Sequence, residues 1–359
     1  MEFAVFALPT YFPERNEPEA EYFHRMLDFL TLAEELGFDS IWVNEHHFHP
    51  YGGMIPSPPL LLAALAQRTS RARLGTSVVL LPLHNPLHMA EELAMVDLLS
   101  RGRLEVGFGR GFVAHDYEVH RIPVEEGQDR LLESVDILVK AWSRAPFSHR
   151  GSYYQFDDVE VWPRPQQEPH PPLWMAATAN PSSFETIGQR GYNLLTVGYV
   201  KPMEDLAHLI DIYRAARAAA GYPADGKVGT HYQVVVDEDR DRALAVALKG
   251  VRDYVTQNRE AQSLARNTPL LAHTAELSKD GGAHLDIEEL IHQGRVLAGT
   301  PDDVVASLER IRDAIGTTSI DCTFTFGGIS YDIAERSMRL FAGEVIPRLR
   351  TPQLAGKRL

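Results

Sequence analysis

The chain has a single cysteine, Cys322, among its 359 residues. It therefore cannot form a disulfide within the chain, and a metal site built from several cysteines is excluded. Long hydrophobic runs are also missing, because the longest ones, such as Leu60–Ala66, are far too short to span a bilayer. No basic leader precedes the first apolar run, which begins at Phe3, so a cytoplasmic location without membrane attachment is expected.

Positive charge is scarce as well. The chain carries 35 basic and 49 acidic residues, which gives a formal net charge of −14. This excess of negative charge argues against a nucleic-acid or anionic-membrane partner, although a local basic pocket for a phosphate is compatible with it. The hydrophobic content of 44% and the charged content of 23% are typical of a globular protein with a sizeable core.

The dominant pattern is an alternation of short apolar runs with segments of helical periodicity, which implies parallel strands joined by helical crossovers. Eight such units follow one another without a linker-like stretch. They predict an α/β fold, a (β/α)8 TIM barrel with insertions, in a single domain over residues 1–359. An open doubly wound sheet is the rival fold, and it would need fewer strands or a domain break. The predicted strands are Phe3–Leu8, Ile41–His46, Arg73–Leu81, Gly102–Phe108, Leu173–Ala177, Tyr192–Val197, Val228–Val236 and Ile320–Phe326. The predicted helices include Glu19–Leu36, Leu60–Thr69, Pro86–Leu99, Glu125–Trp142, Pro202–Ala220, Arg240–Asn258, Pro301–Ile315 and Tyr331–Val345.

Two segments interrupt the alternation. Gly151–Trp162 is rich in aromatic residues and predicts a hairpin or a covering loop. A second interruption is expected around residues 259–298, whose centre, Asn267–Gly294, is rich in Thr, His, Gly and Asp. We interpret it as an insertion or a mobile lid.

The segment around His46 changes within a few residues from apolar to acid–base chemistry. The run Ile41–Val43 is typical of a buried strand, and Asn44, Glu45, His46 and His47 follow it directly. Because side chains alternate along a strand, Asn44 and His46 should share one face, and Glu45 and His47 the other. Acid–base groups at the C-terminal end of a barrel strand indicate a site of chemistry. A pair of structural histidines or a solvated loop is the alternative.

Further polar clusters follow other predicted strands, at Pro82–Asn85, Gly107–Gly111 and Thr178–Phe184, so in a barrel they would meet at one mouth. The second cluster lets the backbone approach a ligand closely and offers the cation Arg110. It lacks the spacing of a dinucleotide fingerprint, and a tight turn explains it equally well. The third lies where hydroxyls and free N–H groups at a helix start bind anions, although an ordinary N-cap has the same composition. Arg130 is either a second cation for this site or a surface salt-bridge partner.

Together these residues resemble the bacterial luciferase-like flavin monooxygenases. The resemblance extends from the first strand to about Leu195, with a weaker match over the last strand and helix. The segments that carry it, in order along the chain, are Glu45–Phe48, Gly75–Pro82, Asn85–Arg103 and Gly109–Gly111.

The resemblance implies a TIM barrel that binds flavin mononucleotide (FMN), mostly in the reduced form delivered by a separate NAD(P)H-dependent flavin reductase. In this family reduced FMN reacts with O2 to give a C4a-hydroperoxyflavin, which oxygenates a small organic substrate. The resemblance also implies a homodimer built on the early helices.

The resemblance assigns roles to individual residues as well. His46 corresponds to the family's acid–base histidine beside the flavin, and Ser77-Val78 lies where relatives carry a non-prolyl cis peptide. The arginines and hydroxyl residues correspond to phosphate-binding positions. The cofactor-binding residues implied in this way are Ser77, Val78, Arg110, Arg130, Ala177, Thr178, Ser182 and Ser183.

One departure limits the resemblance. Gly109 stands where luciferase has a reactive cysteine, so light emission is not implied.

Phe6, Leu80 and Phe108 are the candidates for apolar contacts with the isoalloxazine ring of the flavin.

Three other functions stay open. A deazaflavin-dependent dehydrogenase would use the same barrel, and a flavin-binding subunit without turnover would keep the same site. A metal hydrolase would use Glu45, His46 and His47. Adjacent histidines in a strand point apart and chelate one ion poorly, so no metal ligand is expected.

Overall fold

The computed structural model describes residues 1–224, 226–266 and 284–350 of the chain. The strands are β1 (Glu2–Ala7), β2 (Ser40–Val43), β3 (Arg73–Thr76), β4 (Leu104–Phe108), β5 (Phe147–Arg150), β6 (Gln155–Val159), β7 (Leu173–Ala176), β8 (Asn193–Val197), β9 (Val228–Val236), β10 (Leu297–Gly299) and β11 (Ser319–Thr323). The helices are α1 (Glu19–Glu35), α2 (Pro58–Arg68), α3 (Pro86–Leu99), α4 (Ala114–His120), α5 (Gly127–Ala141), α6 (Pro181–Gln189), α7 (Met203–Ala219), α8 (Arg240–Ser263), α9 (Ile287–His292), α10 (Pro301–Ile315), α11 (Tyr331–Leu340) and α12 (Ile346–Leu349). Short 3-10 helices cover Leu81–Leu83, Val124–Glu126 and Phe326–Gly328, and the segment Phe341–Val345 is π-helical.

Eight of the strands close into a parallel barrel. They pair in the order β1, β2, β3, β4, β7, β8, β9 and β11, and β11 pairs back onto β1. With helices between successive strands, this confirms the predicted (β/α)8 TIM barrel. The aromatic segment predicted as a hairpin or covering loop supplies β6, which pairs antiparallel with β5, so the hairpin begins earlier than expected, at Phe147.

Several parts of the chain differ from the sequence prediction or escape it. β2 ends at Val43 and β3 at Thr76, before the predicted ends at His46 and Leu81. β10, which pairs with the C-terminal end of β9, was not predicted, because three residues are too few to show an alternation. α4 was not predicted either. The insertion expected around 259–298 is described only at its ends, where α8 continues to Ser263 and α9 begins at Ile287. Residues 267–283, which hold the centre of the predicted lid, lie outside the described residues.

Local sequence signals explain where helices begin and end. At the start of α3 the Asn85 side chain accepts a hydrogen bond from the Leu87 amide at 3.0 Å. α10 starts with a reciprocal capping box between Thr300 and Asp303, and it ends at Gly316, whose φ is +58°. Among the described residues, no helix combines the length and the hydrophobicity needed to cross a bilayer.

The N-terminal part of the barrel interior is filled by side chains. Trp42 on β2 and Trp174 on β7 meet there with ring centroids 5.4 Å apart. An added Cβ at Gly75 would come within 2.1 Å of the Trp42 indole, so this contact requires glycine. Glu105 accepts a hydrogen bond from the Trp174 indole at 2.6 Å and pairs with Arg73. A ligand must therefore enter from the opposite end, where the C-terminal ends of the strands meet.

Candidate active site

The residues after β2 divide between two sides of the chain, as strand alternation predicts. Asn44 and His46 lie on one side, against Gly52, whose carbonyl accepts a hydrogen bond from the Asn44 amide at 2.9 Å. An added Cβ at Gly52 would come within 2.6 Å of the His46 ring, and φ there is +68°, so this close approach requires glycine. Glu45 and His47 lie on the other side and are joined by a 2.8 Å hydrogen bond. His46 and Glu45 therefore belong to different networks.

His46 is buried in an aromatic pocket. The ring centroids of Tyr51, His49 and Phe112 lie 4.9, 5.5 and 5.5 Å from that of His46. The hydroxyls of Tyr51 and Tyr254 share a 2.8 Å hydrogen bond. Burial raises the pKa of both phenols above their usual range, so both stay protonated at neutral pH. The pocket thus combines apolar ring faces with hydroxyl groups, as small-molecule sites do.

The loop after β4 brings a cation to the same part of the rim. Phe112 meets the His46 ring edge-on, at an interplanar angle of 86°. Arg110, two residues earlier in the same loop, is exposed. The loop that carries Arg110 therefore reaches the pocket of His46 through Phe112.

Arg110 and Arg130 come together around Tyr117. The Tyr117 hydroxyl donates to the Arg110 carbonyl. Burial raises the pKa of Tyr117, and the positive charges of Arg110 and Arg130 oppose this rise, so both cations act on the same phenol. Arg130 is also engaged elsewhere, because it pairs with Glu126 at 2.8 Å and stacks over Tyr153 at 4.5 Å. Arg130 therefore does act as a salt-bridge partner, which was the alternative to its role as a second cation for the phosphate.

Hydroxyl groups cluster at the N-terminus of α6, in the segment after β7. β7 pairs directly with β4, so this segment adjoins the loop that carries the exposed arginine. Asn180 caps α6 by accepting hydrogen bonds from the Ser182 amide at 3.1 Å and the Ser182 hydroxyl at 3.0 Å. Thr178 and Ser183 are half-buried beside the cap, and Ala177 is buried. An ordinary N-cap is thus present, and the positive end of the helix dipole lies at this rim.

The peptide bond between Ser77 and Val78 is cis, as the family resemblance implies. An added Cβ at Gly109 would come within 2.8 Å of Val78 Cγ2, so the residue that replaces the luciferase cysteine is kept small by this contact. Ser77 Oγ lies 2.9 Å from Nε2 of His231 on β9. His231 was not predicted as a site residue. The sequence did contain a signal, because His231 and Gln233 are polar residues two positions apart in an otherwise apolar strand, and residues at this spacing share one face of the strand.

Glu45 is a buried carboxylate with three hydrogen-bond partners. The Nε2 atoms of His47 and His84 lie 2.8 and 2.6 Å from its Oε1, and the Leu80 amide donates to its Oε2 at 2.9 Å. Burial alone would raise the pKa of Glu45, but these hydrogen bonds hold it below its usual value. Burial lowers the pKa of His84, and the contact with Glu45 outweighs this effect and raises it. His84, from the predicted cluster Pro82–Asn85, therefore helps to hold the rim together.

One prediction about ring contacts is wrong. Phe108 lies on the outer face of β4, buried beneath the helices, with its ring edge-on to Tyr192 at 5.4 Å. Its neighbours Gly107 and Gly109 face inward, so alternation turns Phe108 outward. Phe6 does face the interior, where its ring lies 4.4 Å from that of His231.

The residues of the metal-hydrolase alternative fall into two separate groups. Glu45 and His47 come together with His84, whereas His46 comes together with His49 and Asp116. This separation follows from the alternation of side chains after β2. His49 and Asp116 were not predicted, because a pattern of local spacing does not show which loops meet in space.

The chain belongs to the luciferase-like monooxygenase family, whose model matches residues 1–318. It is similar to the crystal structure of the monooxygenase RslO1 from Streptomyces bottropensis. The TM-score is 0.82 with 31% sequence identity, over 97% of this chain and 99% of that one. Fold and family together establish the protein as an oxidoreductase of the monooxygenase class.

Two sequence relatives are named for different cofactors. The oxygenase component of a flavin-dependent trigonelline monooxygenase from Acinetobacter baylyi is 33% identical over 181 residues, 50% of this chain and 49% of that protein. An F420-dependent glucose-6-phosphate dehydrogenase from Amycolatopsis mediterranei is 28% identical, over 90% of this chain and 94% of that protein. The relatives of this chain therefore include one named for a flavin and one named for F420, a deazaflavin.

The contact between His84 and Glu45 predicts a pH-dependent contribution to stability. Because the pKa of His84 is raised in the folded state, this contribution is fully present below its unfolded pKa of about 6.5 and is lost as pH rises through the folded value. His84→Gln should therefore lower the free energy of unfolding by about 1–2 kcal/mol near pH 5.5 and by less near pH 9. Urea unfolding at both pH values measures this, with His24→Gln on the exposed face of α1 as the control. An equal loss at both pH values would contradict the assignment.

Proposed function

We propose that this protein is the oxygenase of a two-component system, which binds reduced FMN and uses O2 to oxygenate a small organic substrate. The observation that carries the proposal is the contact of Phe112 with the His46 ring, which brings the loop of Arg110 to the pocket of His46. A proton-transfer group and a phosphate-binding cation are then available to a single ligand.

The rim residues fit a monophosphate in an otherwise acidic protein. Arg110 and Arg130 supply planar cations that can bind phosphate oxygens in a bidentate manner. The start of α6 supplies amide and hydroxyl groups from Thr178, Ser182 and Ser183, where the helix dipole favours an anion. These five residues would hold the phosphate group.

The residues deeper in the mouth suit an aromatic ring. Ser77, Val78 and Ala177 follow β3 and β7, and we propose that they contact the flavin. Reduced FMN, when bound, supplies the electrons that activate O2. His46 would give or take a proton, and the aromatic side chains around it would keep water out.

The alternative is a deazaflavin-dependent dehydrogenase, which the similarity to the F420-dependent relative supports. The absorbance of the bound cofactor separates the two, since oxidised flavin absorbs at about 450 nm and deazaflavin at about 420 nm. A flavin-binding subunit without turnover is a further alternative, which would bind FMN and form no product.

The partners are also proposed. The relative named an oxygenase component supports a separate NAD(P)H-dependent flavin reductase. A homodimer built on α2 and α3 is supported by exposed apolar side chains there, with Leu60 74% and Met95 52% exposed. Sedimentation velocity tests the dimer, and a monomer at micromolar concentration would contradict it. The cytoplasmic location expected from the sequence stays a prediction.

The experiment that tests the function combines anaerobic binding with turnover. The protein is titrated with reduced FMN, mixed with oxygen-18-labelled O2 and screened against small organic substrates, and products are analysed by mass. One labelled oxygen atom in a product is the expected result. Binding of F420 in preference to FMN would overturn the proposal in favour of the dehydrogenase.

Arg110→Ala should weaken the binding of reduced FMN by roughly 1.5–3 kcal/mol, about 10- to 100-fold, because it removes a charge-assisted contact with the phosphate. Affinity for riboflavin, which lacks the phosphate, should stay the same. Arg144→Ala is the matched control, since Arg144 is an exposed arginine far along the chain from this rim and paired with Glu168. Equal affinity of the wild-type protein for FMN and riboflavin would contradict the proposed phosphate site.

His46→Ala should leave FMN affinity nearly unchanged and reduce turnover by about 10²- to 10⁴-fold, the usual contribution of a general acid or base. Thermal unfolding and FMN titration check that the fold and the binding site survive. His24→Ala, an exposed histidine on α1, should leave turnover as it is. Unchanged turnover of the His46 variant would remove this residue from the mechanism.

A further inference from the structure

A hydroxyl, an imidazole and a carboxylate form a chain across the inside of the barrel. Ser77 Oγ, just after β3, lies 2.9 Å from His231 Nε2 on β9. His231 Nδ1 lies 3.4 Å from Asp321 Oδ2 on β11. The other carboxylate oxygen, Oδ1, accepts a hydrogen bond from Ser319 at 2.7 Å. Among the described residues neither His231 Nδ1 nor Asp321 Oδ2 has a hydrogen-bond partner, so these two buried polar atoms face each other in an electrostatic contact.

The surroundings of the chain hold it in place. His231 is 4% and Asp321 1% exposed, whereas Ser77 is half-buried and forms the end that reaches the mouth. The Phe6 ring lies 4.4 Å from the imidazole, at an angle of 40°. An added Cβ at Gly229 would come 3.0 Å from Asp321 Oδ2, so glycine on β9 leaves room for the carboxylate.

The carboxylate decides which imidazole nitrogen carries the proton. Burial lowers the pKa of His231 to about 3, so the ring is neutral and has one N–H group. An ionised Asp321 attracts that N–H to Nδ1, which leaves Nε2 as an acceptor. The Ser77 hydroxyl must then donate to Nε2, which leaves the lone pairs of its oxygen available as acceptors.

Asp321 is ionised under mildly alkaline conditions. Burial raises its pKa to about 7, the hydrogen bond from Ser319 lowers it, and the negative charge of Glu2 on β1 raises it further. His231 is the titratable group that faces it from β9. Experiments near pH 8.5 therefore examine the carboxylate form.

We propose that Ser77 is a hydrogen-bond acceptor of fixed direction at the barrel mouth, oriented by His231 and Asp321 as positioning residues, and that it favours reduced over oxidised flavin. This inference rests on the proposed function. Nitrogen N5 of the isoalloxazine ring is an acceptor in oxidised flavin and carries an N–H donor in reduced flavin. Because the O–H group of Ser77 is engaged with His231, the Ser77 oxygen can accept a hydrogen bond from reduced flavin but cannot donate one to oxidised flavin. Ser77 therefore favours the reduced form.

The first test needs no flavin. Nitrogen-15 spectra of the histidine rings near pH 8.5 should show His231 protonated at Nδ1. Asp321→Leu, which keeps a similar shape but removes the acceptor, should move the proton to Nε2. Protonation at Nε2 in the wild-type protein would overturn the proposal.

The second test measures the affinities for reduced and oxidised FMN under anaerobic conditions. Ser77→Ala and Asp321→Leu should each lower the preference for reduced FMN by about tenfold, equivalent to about 30 mV for a two-electron couple. Ser77→Thr keeps the hydroxyl and should retain the preference. Cys322→Ala is the matched control, since Cys322 is buried next to Asp321 but belongs to the core on the other face of β11.

The outcomes separate the inference from the function. If the protein binds FMN but Ser77→Ala leaves the preference unchanged, or if Cys322→Ala shifts it equally, the inference is wrong and the proposed function stands. If the protein binds neither form of FMN, the proposed function fails and the redox preference fails with it. The tautomer of His231 is then still measured in the flavin-free protein.

Discussion

The buried carboxylate of Glu45 fixes the rim on which the candidate site depends. Burying a charge in a protein interior costs several kcal/mol unless hydrogen bonds replace its hydration. Here they come from two different segments, with His47 beside it and His84 and the Leu80 amide from the loop after β3. The ends of β2 and β3 are thereby tied together. Because side chains alternate, holding Glu45 on one side turns His46 to the other, towards the aromatic pocket.

The two ends of the barrel interior have different chemistry. Towards the N-terminal ends of the strands, two indole rings and the pair of Arg73 with Glu105 fill the space. Towards the C-terminal ends, glycines at 107 and 109 let the backbone of β4 approach its neighbours, since a Cβ at Gly107 would come within 2.1 Å of the Thr76 carbonyl. Polar groups then occur where loops follow the strands. This division gives one end of the barrel stability and the other its chemistry, as in other TIM barrels.

Much of the fold was predictable because its signals are local. The alternation of apolar runs with helical periodicity defines eight strand–helix units, and the bounds of β9, α3 and α10 agree with the prediction to the residue. The split of Asn44 and His46 from Glu45 and His47 needed only the period of a strand. β10 was missed because three residues show no period, and Phe108 was assigned to the wrong face although the glycines on either side of it already define the inward face.

The candidate site was predictable only in part, because its contacts depend on the register of distant strands. Ser77 follows β3, His231 lies on β9 and Asp321 lies on β11, so they are far apart in the sequence and no local pattern relates them. They meet because β9 and β11 are paired in register, with His231 opposite Asp321, while β3 faces them across the interior. The family resemblance supplied Ser77 and Arg110 through motif positions. It carried no information on the side chains that orient them.

The two arginines of the proposed phosphate site are not equivalent. Arg130 already has a carboxylate partner in Glu126 and an aromatic partner in Tyr153, so a phosphate must compete with or share these contacts. Arg110 is exposed at the mouth, and its backbone is held by the Tyr117 hydroxyl, which leaves the guanidinium free to move towards a ligand. In a chain with a net charge of −14, an exposed cation at the mouth is a local exception that can attract an anion. The larger share of phosphate affinity should therefore come from Arg110, with Arg130 setting the geometry of the rim through its pair with Glu126.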